Sequence, residues 1–175
     1  MNEVELKFLD INVAEISRKI EALGAVKKYE QDLESYYFVA DGFSGKSSHK
    51  KGLRVRRIGN RFFITYKDPA KKSDMSVREE LEIEVDSFEK AVKLLEKLGF
   101  RKGYLTKKHR VHYELGDIAF ELDTYDGIPT FLEIETNNEP AMKEVCQKLD
   151  LDITDGSKGM IEEIFPEKFP ENSWD

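Results

Sequence analysis

Apolar positions along this chain recur with two different periods. Over residues 13–23, Val13, Ile16, Ile20 and Leu23 share one face of a 3.6-residue turn, and the same spacing returns over 87–98 (Phe88, Val92, Leu95, Leu98) and over 139–149. The spacing predicts three short amphipathic helices. Asn12 and Ser87 stand where an N-cap is needed, and Gly24 and Gly99 stand where a left-handed residue closes the first two. Between these helices the alternation has period two, over 2–8, 34–40, 52–57, 61–67, 77–85, 105–114, 117–124 and 130–136, which predicts about eight strands. Gly59-Asn60 and Gly116-Asp117 are hairpin signals, so neighbouring strands are expected to pair antiparallel. Segment 41–51 reads as a polar loop, and 154–175, with Pro166 and Pro170, as a tail; the 175 residues are expected to form one domain.

The polar half of the alternation is unusual in being charged with both signs. Glu3, Glu5 and Lys7 share a face; so do Arg54 and Arg56, then Arg78, Glu80, Glu82 and Glu84, then Lys108 and Arg110, then Glu121 and Asp123, then Glu133 and Glu135. Lys67 closes the strand that contains Phe63. The opposite faces are apolar: Val4 and Leu6, Leu53 and Val55, Leu81 and Ile83, Val111 and Tyr113, Phe120 and Leu122, Leu132 and Ile134. A single strand of this kind is ordinarily the wet side of an antiparallel sheet. Six of them with ordered pairs of like charge predict a closed eight-stranded antiparallel barrel, a tunnel with a charged interior flanked by helices, in the α+β class. Arginines in such a lumen would grip phosphate oxygens and carboxylates would hold a hard divalent cation. Glu-x-Glu recurs at 3/5, 80/82 and 133/135, each time ahead of an amphipathic helix, as a weak internal repeat.

Composition narrows the partners. The chain is 39% hydrophobic and 36% charged with net charge −7, a balance that argues against a general nucleic-acid or anionic-membrane binder. Cys146 is the one cysteine and is expected to be a buried thiol. The N-terminus runs straight into a charged strand and no stretch approaches about 20 apolar residues, so a cytoplasmic, soluble protein is expected.

Taken in order, these residues resemble the CYTH superfamily, or triphosphate tunnel metalloenzymes, over nearly the whole chain. The motif Glu3-Val4-Glu5-Leu6-Lys7 is followed by Arg54-Val55-Arg56, Lys67-Asp68-Pro69, Arg78-Glu79-Glu80-Leu81-Glu82, Lys108-His109-Arg110 with Tyr113, Leu122-Asp123 and Phe131-Leu132-Glu133-Ile134-Glu135. The chain departs from the family at Gly127-Ile128-Pro129 and at Ser157-Lys158-Gly159-Met160. The resemblance implies a tunnel that binds a small-molecule triphosphate with Mg2+ or Mn2+. It implies Glu3, Glu5, Asp123, Glu133 and Glu135 as metal ligands, and Lys7, Arg54, Arg56, Lys67, Lys108 and Arg110 as the cations that neutralise substrate and leaving phosphate. Arg78, Glu80 and Glu82 would line the same tunnel, while Glu84 and Glu121 receive no role.

The function expected is hydrolysis of an inorganic or organic triphosphate, by a monomer or homodimer. The alternatives are an adenylyl cyclase of the same architecture and a binding module without turnover. Ser44-Gly45-Lys46-Ser47 imitates a Walker loop but lacks its first glycine, Ala40 standing there, and reads as a hairpin loop. His49, His109 and His112 fit no zinc spacing, although His112 has the parity to face inward. The basic cluster of Lys50, Lys51, Arg54, Arg56, Arg57 and Arg61 lacks interleaved stacking aromatics apart from Phe62 and Phe63, and Tyr36 and Tyr37 read as packing residues.

Overall fold

The computed structural model describes residues 2–40, 52–68 and 76–169. Eight antiparallel strands, β1 (Asn2–Phe8), β2 (Val26–Ala40), β3 (Gly52–Ile58), β4 (Arg61–Lys67), β5 (Ser76–Val85), β6 (Phe100–Leu115), β7 (Ile118–Tyr125) and β8 (Phe131–Thr136), are joined by α1 (Val13–Ala22), α2 (Phe88–Lys97) and α3 (Glu139–Lys148). The α+β class follows. The caps act as their side chains require: Asn12 accepts from the Glu15 amide at 3.1 Å and Ser87 from the Lys90 amide at 3.2 Å. Gly59 and Gly116 turn their hairpins with φ of +55° and +58°, a region that favours glycine.

Hydrogen-bonded neighbours follow the order β1-β5-β4-β3-β2-β6-β7-β8, and β8 also pairs with β1. The wall is not sealed along its length. β5 pairs with β1 only over Asn2–Glu5, whereas β8 pairs with it from Val4 to Phe8. Beyond Glu5 the other edge of β1 bonds to Ser157, the two residues exchanging N–H···O bonds of 2.9 and 2.8 Å. The ring of eight strands expected from sequence is present, with β1 joining β5 to β8, but it is a sheet curled round and sealed only in part: beyond Glu5 the β1–β5 seam opens and the chain near Ser157 takes β5's place.

The outer face carries the core. Val4, Leu6, Leu122, Leu132 and Ile134 pack beneath Ile16 and Ile20 of α1 and Met142, Val145 and Cys146 of α3. Phe88, Ala91, Val92 and Leu95 of α2 cover Phe38 and Val55. Three expectations differ from the structure. Leu81 and Ile83, expected in the core, stand 59% and 60% exposed, because α2 packs chiefly over β3, β4 and β6 and meets β5 at its last residue, Val85. β2 and β6 each begin earlier than expected; outward Lys28, Glu30 and Asp32 in β2 are charged, so its first half shows no apolar alternation. The supposed tail holds a 3-10 turn at Ile153–Asp155, a short helix α4 (Ile161–Ile164) and a second turn at Pro166–Lys168. Ile161 buries itself against Ile128 and Phe131, so the departure at Gly127-Ile128-Pro129 supplies an apolar seat for α4. The Walker-like segment, His49 and Pro69 lie outside the described residues.

Candidate active site

Strand parity decides which side chains meet inside the curl. Glu3, Glu5 and Lys7 of β1 face inward beside Glu133 and Glu135 of β8, in the register Lys7↔Glu133 and Glu5↔Glu135. Across from them lie Arg54 and Arg56 of β3, Lys67 of β4, and Glu80 and Glu82 of β5. Lys108 and Arg110 of β6 complete the ring, opposite Glu121 and Asp123 of β7. A cavity of about 360 Å3 contains most of these, and a smaller one of about 80 Å3, lined by Glu5 and Lys7, shares Arg54, Lys67, Lys108 and Glu133 with it. Arg78 pairs through its backbone with Glu3, and its side chain lies outside the described set.

Burying this much charge is tolerable only where each ion finds a partner. Arg110 donates from Nε and Nη2 to Asp123 at 2.6 Å each and pairs with Glu121 as well. Lys108 reaches Asp123 at 2.6 Å, and Arg56 reaches Glu82 at 2.5 Å. The Lys7 ammonium sits between Glu5 (2.9 Å) and Glu133 (2.8 Å), and that of Lys67 between Glu3 (2.8 Å) and Glu80 (2.8 Å). Burial alone would lower both lysine pKa values, yet the surrounding carboxylates raise them. Lys108 goes the other way: burial, then Arg110, push it below the ordinary lysine range. Arg54 stands apart. It donates to Tyr37 Oη at a long 3.4 Å, its buried Nε has no hydrogen-bond partner, and it forms no ion pair among the described residues. The buried Nε of Arg56 is likewise without a partner.

The carboxylates gather into two groups whose oxygens lie within 4.8 Å of one another: Glu3, Glu5 and Glu135, and Glu121, Glu133 and Glu135. Such crowding resists ionisation. Burial, then Glu135, raise Glu3 to about 11, and burial, then Glu121, raise Glu135 to about 8. A hard divalent cation fits this donor set, since it accepts several carboxylate oxygens and relieves their repulsion. Asp123 belongs to neither group; its oxygens are taken by Arg110 and Lys108. Glu121, to which sequence assigned no role, joins one. Its signal was its parity with Asp123, two residues along β7.

The remaining expectations sort by parity as well. His112 faces the cavity, stacked on Tyr29, whereas His109 is outside against Asp32. Tyr36 packs against Phe88, and Tyr37 stacks on Tyr104 at the lumen's edge. Cys146 is buried in the core, which lifts its thiol to about 11. No described helix is long and apolar enough to cross a membrane.

Comparison with known proteins agrees with this geometry. A family model described as the CYTH domain matches residues 1–153. A Methanocaldococcus jannaschii protein named "Putative adenylate cyclase MJ0240" is 30% identical over 138 residues, 77% of this chain and 77% of that protein. Among solved structures, the PH1012 protein of Pyrococcus horikoshii superposes with a TM-score of 0.76 at 32% identity, covering 92% of this chain and 98% of the other. A conserved hypothetical protein of Pyrococcus furiosus gives 0.74 at 26% identity, with 92% and 98% covered.

Proposed function

Because the chain belongs to the CYTH domain family, we propose that it is a triphosphatase that hydrolyses an inorganic or organic triphosphate with Mg2+ or Mn2+ in the curled sheet's charged lumen. The observation that carries this reading is the underused guanidinium of Arg54, with the partnerless Nε of Arg56, facing the same cavity as the carboxylate clusters. A buried N–H without an acceptor costs about 1–3 kcal/mol, and phosphate oxygens are the acceptors that planar guanidinium donors fit best. Arg54 and Arg56 would hold the phosphate chain, with Lys108 and Arg110 close behind to neutralise charge gathering on the departing phosphate.

Glu3, Glu5 and Glu135, and Glu121, Glu133 and Glu135, would hold divalent cations, with Asp123 steering Arg110 and Lys108. A bound cation would supply Lewis-acid polarisation of the phosphoryl oxygens. Lys7 and Lys67 now sit where such a cation would bind, bridging carboxylates that are otherwise mutually repelling. With a cation held by those carboxylates, the Lys7 and Lys67 ammonium groups would be available to contact the phosphate oxygens of the substrate. The protein acts on a small molecule, without nucleic acid or membrane, as a monomer or homodimer in the cytoplasm.

The test is incubation with tripolyphosphate, thiamine triphosphate and ATP under Mg2+ or Mn2+. Metal-dependent phosphate release is expected from at least one; none from all three would sink the reading. Glu5→Gln should lower turnover about a hundredfold and weaken Mn2+ binding while circular dichroism stays unchanged. The second reading, an adenylyl cyclase, is favoured by the name of the Methanocaldococcus jannaschii relative. Cyclic AMP and pyrophosphate among the ATP products would decide for it.

A further inference from the structure

We propose that Thr65 is a positioning residue: its hydroxyl holds the Glu82 carboxylate so that Arg56 is pinned through one nitrogen and keeps its Nε–H for phosphate. The inference rests on the triphosphate reading above. Two arginines of the lumen meet their carboxylates differently. Arg110 faces Asp123 fork to fork, Nε to Oδ1 and Nη2 to Oδ2 at 2.6 Å each, so the edge that could grip an oxyanion is already engaged. Arg56 gives Glu82 only Nη2, at 2.5 Å, and its buried Nε has no hydrogen-bond partner. The two-pronged pairing is the stronger and the better matched to a planar guanidinium. Some other contact must keep Glu82 from adopting it.

Thr65 supplies that contact. It is the register partner of Glu82 across β4 and β5 and of Arg54 across β4 and β3, and it is 0% exposed. Its hydroxyl donates to Glu82 Oε2 at 2.8 Å, the same oxygen that accepts from Arg56 Nη2. Among the described residues these two are the hydrogen bonds that hold the Glu82 carboxylate, and its side chain is 31% exposed, with room to turn. Thr65 is β-branched and stiff at χ1, so its single O–H is a fixed post. Valine has nearly the same shape without the donor. In Thr65→Val the carboxylate is free to slide along the guanidinium and take Nε as well, as Asp123 does on Arg110, and the donor meant for phosphate is lost. Glu82 stays paired throughout, so no buried charge is stranded and the fold is kept.

Calorimetric titration with tripolyphosphate, with Ca2+ in place of Mg2+, tests this. Thr65→Val should weaken binding about tenfold, as loss of one charge-assisted hydrogen bond requires. Thr65→Ser keeps the hydroxyl and should bind as the wild type does. With Glu82→Ala already in place there is no carboxylate to move, so adding Thr65→Val should change the affinity less than about twofold. A crystal structure of Thr65→Val should show Glu82 on both Nε and Nη2 of Arg56. If Thr65→Val binds as tightly as the wild type, if Thr65→Ser loses as much as Thr65→Val, or if the loss is the same with and without Glu82, the positioning role is overturned and the triphosphate reading stands. Failure of the wild type to bind tripolyphosphate would instead remove that reading, and the role with it. Should Thr65→Val not fold, Thr65→Ala takes its place in the same comparison.

Discussion

Arg54 and Arg110, inward on β3 and β6 with β2 between them, show how two arginines of one lumen take different work. Arg110 is saturated by Asp123 and Glu121, so replacing it would strand buried carboxylates and chiefly cost stability. Arg54 has a buried donor to spare. Arg54→Ala is therefore expected to raise KM for tripolyphosphate about 10- to 100-fold, the worth of one or two charge-assisted hydrogen bonds, with little change in melting temperature. An unchanged KM would detach Arg54 from the substrate. At this scale the sequence was legible wherever parity alone sets direction: Glu3, Glu5, Lys67, Arg56 and Glu135 all reach the lumen. It was not legible where direction must be combined with contact. Asp123 and Glu121 share a face, yet only Glu121 reaches Glu133 and Glu135, since Arg110 and Lys108 claim Asp123. Which carboxylate a guanidinium takes is decided across strands, and one strand's pattern does not contain it.

Helices whose apolar stripe and cap both lie within the element were predicted closely, and α1 and α2 end within a residue or two of their expected bounds. α4 escaped because four residues cannot show a period; what fixes it is the seat of Ile128 and Phe131, more than 20 residues earlier in the chain. Ile161→Ala should cost about 2–3 kcal/mol, at the low end for a buried aliphatic side chain. It should also loosen the Ser157 bridge, seen as faster amide exchange at Lys7. Exchange at Lys7 no faster than in the wild type would show that the bridge holds without α4. The first half of β2 was missed for the reverse reason: its outward residues are charged, and its strand state is imposed by pairing with β6 from Val26 to Ala40.

At the scale of the whole molecule the lumen's charge sets how stability responds to pH. Glu135 at about 8 and Glu3 at about 11 lie above the ordinary carboxylate value of 4.5, so the fold binds protons that the unfolded chain has released. Their contribution is complete below about pH 4.5 and is lost as pH rises through the folded values. Glu80 and Glu121, both held near 2, act oppositely, but only as pH falls below 4.5. Metal-free protein should thus melt at progressively lower temperature between pH 5 and 8, and saturating Mn2+ should abolish the decline, since carboxylates that hold a cation are already deprotonated. A flat profile without metal would refute the crowding.

The position of β1 between β5 and β8 also bears on how the chain comes to be active. β1 joins β5, in the middle of the sequence, to β8, and it brings Glu3, Glu5 and Lys7 with it. Contacts that span most of the chain form late, after the local hairpins have repaid their loop-closure entropy. A chain in which β1 has not docked therefore has Glu121, Glu133 and Glu135 on β7 and β8 but lacks Glu3 and Glu5, and with them the second carboxylate group. On the triphosphatase reading, such a chain would hold one cation site of the two, and the second would be completed with the final seam.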